Sequence, residues 1–76
     1  MTKANNIDKE IGAKIELNRK LKSKSRKWLS DKINRSSQQV QKYESGQDRV
    51  AASCLFEISK ELETDINNFF PNQNEK

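Results

Sequence analysis

Residues 35–46 read RSSQQVQKYESG, a stretch that offers a core little beyond Val40 and Tyr43 yet carries the punctuation of a helix. Ser36 followed three residues later by Gln39 fits a capping box, in which the serine oxygen accepts the Gln39 amide and the glutamine side chain reaches back to the cap. Ser45-Gly46 supplies the left-handed stop. The spacing predicts a helix from about residue 37 to 44, buried on a narrow side and lined on the other by serine, glutamine and lysine.

Upstream, Ser25 can cap a helix of about 26 to 33 that buries Leu29 and Ile33 at i, i+4. Asn34, which tolerates left-handed backbone, ends it. Only Asn34, Arg35 and Ser36 remain between the two helices, a connection of the length that sets a helix pair at a steep angle. Before this pair, Ile7, Ile11, Ile15 and Leu21 recur at near-helical spacing with Leu17 on the flank, which predicts an amphipathic helix over about 7 to 22 capped by Asn6. After it, Leu55, Ile58, Ser59 and Leu62 predict a helix of about 51 to 62 with Cys54 beside the stripe. Thr64 or Asp65 then caps a last turn that brings in Ile66, Phe69 and Phe70 and stops at Pro71. Phe69 shares a face with Ile66 and is assigned inward, Phe70 outward. The expected architecture is all-α: a compact five-helix domain over 7–70, with a flexible N-terminus at 1–6 and a disordered tail at 71–76.

The 76 residues bound the chain to one domain with a thin core. With 32% hydrophobic and 34% charged residues, composition alone leans toward disorder, and the patterning overrules it. Charge is uneven: residues 1–38 hold eleven Lys or Arg against four Asp or Glu, a net +7, while residues 39–76 are −3. A cationic half points to a polyanion, either nucleic acid or an anionic membrane surface, the bland alternative being a solvated lysine-rich face. Nothing resembles a membrane span or a signal peptide, so a cytoplasmic location is expected. One cysteine excludes an internal disulfide, and the lack of histidine disfavours a metal site or a serine nucleophile with an imidazole base. No cofactor and no enzymatic activity are expected.

Taken together, Ile11-Gly12, Ile15 and Arg19, then Ser25 and Leu29, QQVQKYESG at 38–46, RVAAS at 49–53 with Leu55, Glu57 and Ile58, and the terminal Phe69-Phe70 resemble the lambdoid repressor and Cro family, the xenobiotic-response-element-like class of helix-turn-helix DNA-binding domains, in a bacterial branch. The resemblance runs without gaps from Ile7 to Phe70. It implies that the polar helix enters the DNA major groove, where base edges present donors and acceptors. Ser37 and Gln38, with Lys42 one turn on and Gln39 if the cap leaves it free, become the base-reading residues. Arg26, where the family usually carries glutamine, and Gln47 and Arg49 in the following loop become phosphate contacts. Arg19 and Glu44 look like the family's internal ion pair, which fixes where Gln38 points. The chain departs from its relatives at Ser23-Lys24, Ser30, Asn34-Arg35 and Ser37. Trp28 is expected half-buried on the outer side of the second helix.

The function so implied is that of a transcriptional regulator, a repressor that binds double-stranded DNA at a pseudo-palindromic operator as a homodimer, with Phe70 at the dimer interface and no membrane partner. The alternative of another class is an antitoxin or similar protein-interaction module that binds a toxin, with DNA binding secondary. An RNA-binding role is disfavoured by the lack of interleaved aromatic residues.

Overall fold

The computed structural model describes residues 6–71. Four α-helices follow in order: α1 (Asn6–Leu21), α2 (Arg26–Lys32), α3 (Ser37–Ser45) and α4 (Ala52–Glu61). The expected fifth helix is a single 3-10 turn, Ile66–Phe69, so the α-helix count is four. The reason is local: Asp65 caps it through the Asn67 amide at 2.9 Å, and Pro71, which has no amide hydrogen, lies too close downstream for a further turn. Among the described residues there is no strand. Asn6, expected as a cap, is the first helical residue of α1, and Pro71 is half-buried. The expectations for the rest of both termini fall on 1–5 and 72–76, outside the described residues.

Helix ends follow their caps. Ser25 Oγ accepts the Trp28 amide at 3.0 Å and Ser36 Oγ the Gln39 amide at 3.0 Å. Asn34 has φ 60° and Gly46 φ 79°, both left-handed, where α2 and α3 stop. α4 follows Ala51, which offers no side-chain cap.

The fold is 19 Å across its thinnest axis, room for two layers of helices. Between them lie Ile15, Leu29, Ile33, Val40, Tyr43, Cys54, Leu55, Ile58, Leu62 and Phe69, with Ile11, Trp28, Val50 and Ile66 packed at the margin. Phe69 is fully enclosed between α1 and α4, and its burial contributes about 2–3 kcal/mol.

The α1 stripe differs from its expected form. Ile15 is buried and Ile11 half-buried, but Ile7 is 51% and Leu21 70% exposed. The inward line is instead Ile11, Ile15 and Arg19 at strict i, i+4 spacing, so a charged residue takes the place that an apolar one would have filled, and Leu21 falls off the face. Gly12, beside that line, sets how closely α1 meets α3. A β-carbon there would lie 2.1 Å from the Tyr43 carbonyl oxygen and 2.6 Å from that of Glu44. The α1 backbone therefore rests directly on the carboxyl end of α3.

Candidate nucleic-acid interface

Helix α3 turns Val40, Tyr43 and Glu44 into the fold. At 100° per residue the opposite arc is Gln41, Ser45, Gln38 and Lys42, all of them exposed, while Ser37 falls beside Glu44 at the edge of the inward side and is half-buried. Ser37 Oγ lies 3.4 Å from Ser30 Oγ on α2, and the two small side chains let the helices of the pair approach. Gln38 and Lys42 have no side-chain hydrogen bond or ion pair among the described residues, so their polar ends are available to a ligand. Gln41, overlooked in the sequence, lies between them at i+3 from Gln38 and i+4 from Ser37. The helical spacing alone would have placed it there.

Gln39 departs from the capping role expected of it. Its amide nitrogen donates to Asp48 Oδ2 at 2.9 Å instead of reaching back to the cap, and it flanks the outer arc rather than joining it. Only the serine half of the capping box forms. Gln39 thereby ties the amino end of α3 to the loop after it.

The carboxyl end of α3 is fixed by Glu44, whose side chain is 1% exposed. Arg19 donates to it twice, from Nε to Oε2 at 2.7 Å and from Nη2 to Oε1 at 3.1 Å, and donates from Nη1 to the Lys24 carbonyl at 2.7 Å. This embrace raises the Arg19 pKa above its ordinary value. The sequence did not announce a third member. Arg26 Nε donates to Glu44 Oε1 at 2.9 Å, and its Nη2 stands 3.8 Å from Glu16. Arg26, expected as a phosphate contact, is thus also tied into the fold. Glu16, paired with Lys20 at 3.0 Å and near Arg26 and Arg19, has its carboxyl pKa lowered, chiefly by the Lys20 hydrogen bond.

Beyond α3, Gln47 is exposed, and its backbone amide closes on the Lys42 carbonyl at 2.9 Å. Arg49 is likewise attached: its Nε donates to Asp8 Oδ2 at 3.0 Å, across from α1. At the interhelical turn, exposed Arg35 donates from Nη1 to the Asn34 carbonyl at 3.3 Å. Trp28 is half-buried against the core, with Lys24 at 4.9 Å and Lys32 at 5.7 Å from its ring centroid.

Phe69 is buried and Phe70 is 38% exposed. Phe70 is not alone, because Leu17 on α1 and Phe56 on α4 are more exposed still. Among the described residues no cluster of ligating side chains could hold a metal ion, and no helix is long and apolar enough to cross a membrane.

No family model matches the chain. It is 40% identical over 68 residues, 90% of its length, to an HTH-type transcriptional regulator of Sinorhizobium medicae. It spans about half the length of the curated relatives it matches, 49% in that case. Among solved structures, the DNA-binding domain of BldD superposes over 93% of this chain and all of its own, with a TM-score of 0.78 at 22% identity. Hydroxypropylphosphonic acid epoxidase of S. wedmorenis aligns with 92% of this chain at a TM-score of 0.80 and 18% identity, but through only 36% of its own length. The fold therefore recurs both in a regulator's DNA-binding domain and as one part of an enzyme.

Proposed function

Because the chain is a helix-turn-helix domain of the lambdoid repressor and Cro type, homologous to HTH-type transcriptional regulators, we propose that it binds double-stranded DNA sequence-specifically and regulates transcription by occupying an operator. The observation that carries this reading is the outer arc of α3. A nine-residue helix held to the fold by Val40, Tyr43 and Glu44 presents Gln38, Gln41 and Lys42 with their donors and acceptors outward, and Ser37 lies half-buried at the edge of that arc. A glutamine amide offers one donor and one acceptor, matching N6 and N7 of adenine in the major groove, and lysine matches the acceptors of guanine. Arg26, Arg49 and Gln47 lie on the segments flanking α3 and serve the phosphates on either side.

In this reading the regulator is a repressor that occludes its promoter, and the operator is pseudo-palindromic because two copies related by a two-fold axis read two half-sites. Phe70 takes part in the contact between copies. The test is selection of bound duplexes from a random pool, followed by affinity measurements on the selected site. Gln38→Ala should lose about 1–3 kcal/mol on that site and relax the preference at one position per half-site. Arg49→Ala should weaken all sequences alike and lower the salt slope by about one. A pool that yields no preferred sequence, or a Gln38→Ala variant that selects the same site with the same affinity, would sink the reading.

A further inference from the structure

The two arginines beside α3 are held in the same way, by carboxylates from different parts of the chain. Arg26 donates from Nε to Glu44 at 2.9 Å, and Arg49 donates from Nε to Asp8 at 3.0 Å. In each pair the carboxylate is sequestered and the arginine is not: the side chains are 1% and 41% exposed in the first, 13% and 54% in the second. Arg49, gripped at Nε, keeps its two terminal nitrogens, the pair that fits a phosphate in bidentate fashion, whereas Arg26 Nη2 also stands 3.8 Å from Glu16. The loop that carries Arg49 is pinned again one residue earlier, where Asp48 accepts from Gln39 of α3.

We propose that Asp8 is a positioning residue for DNA binding: it sets the guanidinium of Arg49 with its terminal nitrogens turned outward to a phosphate. The inference rests on the DNA-binding reading above. It runs against the simplest electrostatic expectation, in which removing any carboxylate from a protein that binds a polyanion strengthens binding. A competing carboxylate would be accessible and would occupy the terminal nitrogens. Asp8 is covered, and the contact is at Nε. The ordering entropy of the long arginine side chain is spent on folding, so less is lost on binding.

The experiment compares two substitutions that change α1 by the same charge. Glu10 is exposed and has no ion pair among the described residues. Binding of a fluorescein-labelled duplex of mixed sequence is followed by anisotropy across a salt series, with circular dichroism confirming that each variant is folded. Glu10→Gln should bind as well as the parent or somewhat more tightly. Asp8→Asn should bind roughly five- to tenfold more weakly, the loss of most of one charge-assisted contact. In an Arg49→Ala background, Asp8→Asn should cause no further loss. Arg49→Lys keeps the charge but not the fork, and it should lose nearly as much as Arg49→Ala, which gives a readout that does not depend on substituting Asp8. If Asp8→Asn follows Glu10→Gln upward, or if Arg49→Lys binds like the parent, Asp8 does not position Arg49. If the parent protein itself fails to bind duplex at low salt, the DNA-binding reading falls instead.

Discussion

Glu44 has two cationic partners and Arg19 has one anionic partner, so removing one or the other should not cost the same. Arg19→Met takes away two hydrogen bonds to Glu44 and one to the Lys24 carbonyl, but the carboxylate still faces Arg26 Nε at 2.9 Å and remains compensated. A loss of about 2–3 kcal/mol is expected, the order of a few charged hydrogen bonds partly repaid by the apolar methionine. Glu44→Gln leaves Arg19, whose side chain is 7% exposed, charged in the interior with the Lys24 carbonyl as its remaining strong acceptor. That belongs with single-partner removals from buried pairs, about 3–5 kcal/mol. A domain of this size has a total stability of about 5 kcal/mol. Glu44→Gln should therefore keep only about 0–2 kcal/mol, with between a few per cent and about half of the molecules unfolded in buffer at room temperature. Arg19→Met should remain folded with its urea midpoint lowered by about 2–3 M, for a slope of about 1 kcal/mol per molar. The single tryptophan, Trp28, is half-buried and reports the transition by fluorescence, with circular dichroism as the second probe. If Arg19→Met proves as damaging as Glu44→Gln, or if both cost less than about 1 kcal/mol, the three-membered network does not hold α3 as described.

Gly12→Ala should lower the melting temperature despite alanine's helix preference of about 1 kcal/mol, because its β-carbon would sit 2.1 Å from the Tyr43 carbonyl oxygen; a melting temperature at or above the parent's would show that the helices can part freely. Ser36→Ala removes the cap on the Gln39 amide and should cost about 1 kcal/mol in urea titrations, and no change would count against that cap. Burial raises the Cys54 thiol above its usual 9.0 and the Tyr43 hydroxyl above its usual 10.0, so the folded state keeps protons that the unfolded chain releases, and stability is present below pH 9 and lost as pH rises beyond it. Cys54→Ala should flatten the earlier part of that decline, and an unchanged pH profile would exclude the thiol as its source. Phe70→Lys should leave the circular dichroism spectrum intact while abolishing cooperative occupancy of paired half-sites; undiminished cooperativity would move the contact to Leu17 or Phe56.

Elements with punctuation at both ends were legible in the sequence. Ser25, Asn34, Ser36 and Gly46 bound α2 and α3 to within a residue, since each acts through its own backbone or over three positions. The inward positions of α4 followed from periodicity, and Phe69 from its spacing to Ile66. What escaped was decided by distant partners. Leu21 and Ile7 satisfied a helical pattern but found no opposing surface, because Arg19 and Gly12 set the face of α1 through contacts with Glu44 and Tyr43 on another helix. In the same way, the pairing of Arg26 with Glu44 spans 18 residues and that of Arg49 with Asp8 spans 41, separations at which spacing carries no information. Gln39 could satisfy two partners, and only the position of Asp48 decides between them.

The division of α3 into an inward side of Val40, Tyr43 and Glu44 and an outward side of Gln38, Gln41 and Lys42 has a consequence for how such a protein changes over time. Residues that hold the helix and residues that meet a ligand are different residues, so drift on the outer side is nearly free of any folding penalty. The outer positions can therefore exchange one polar side chain for another and acquire a new target without passing through an unfolded ancestor. A library randomised at 38, 41 and 42 should be folded in most of its members, whereas one randomised at 40, 43 and 44 should be folded in few.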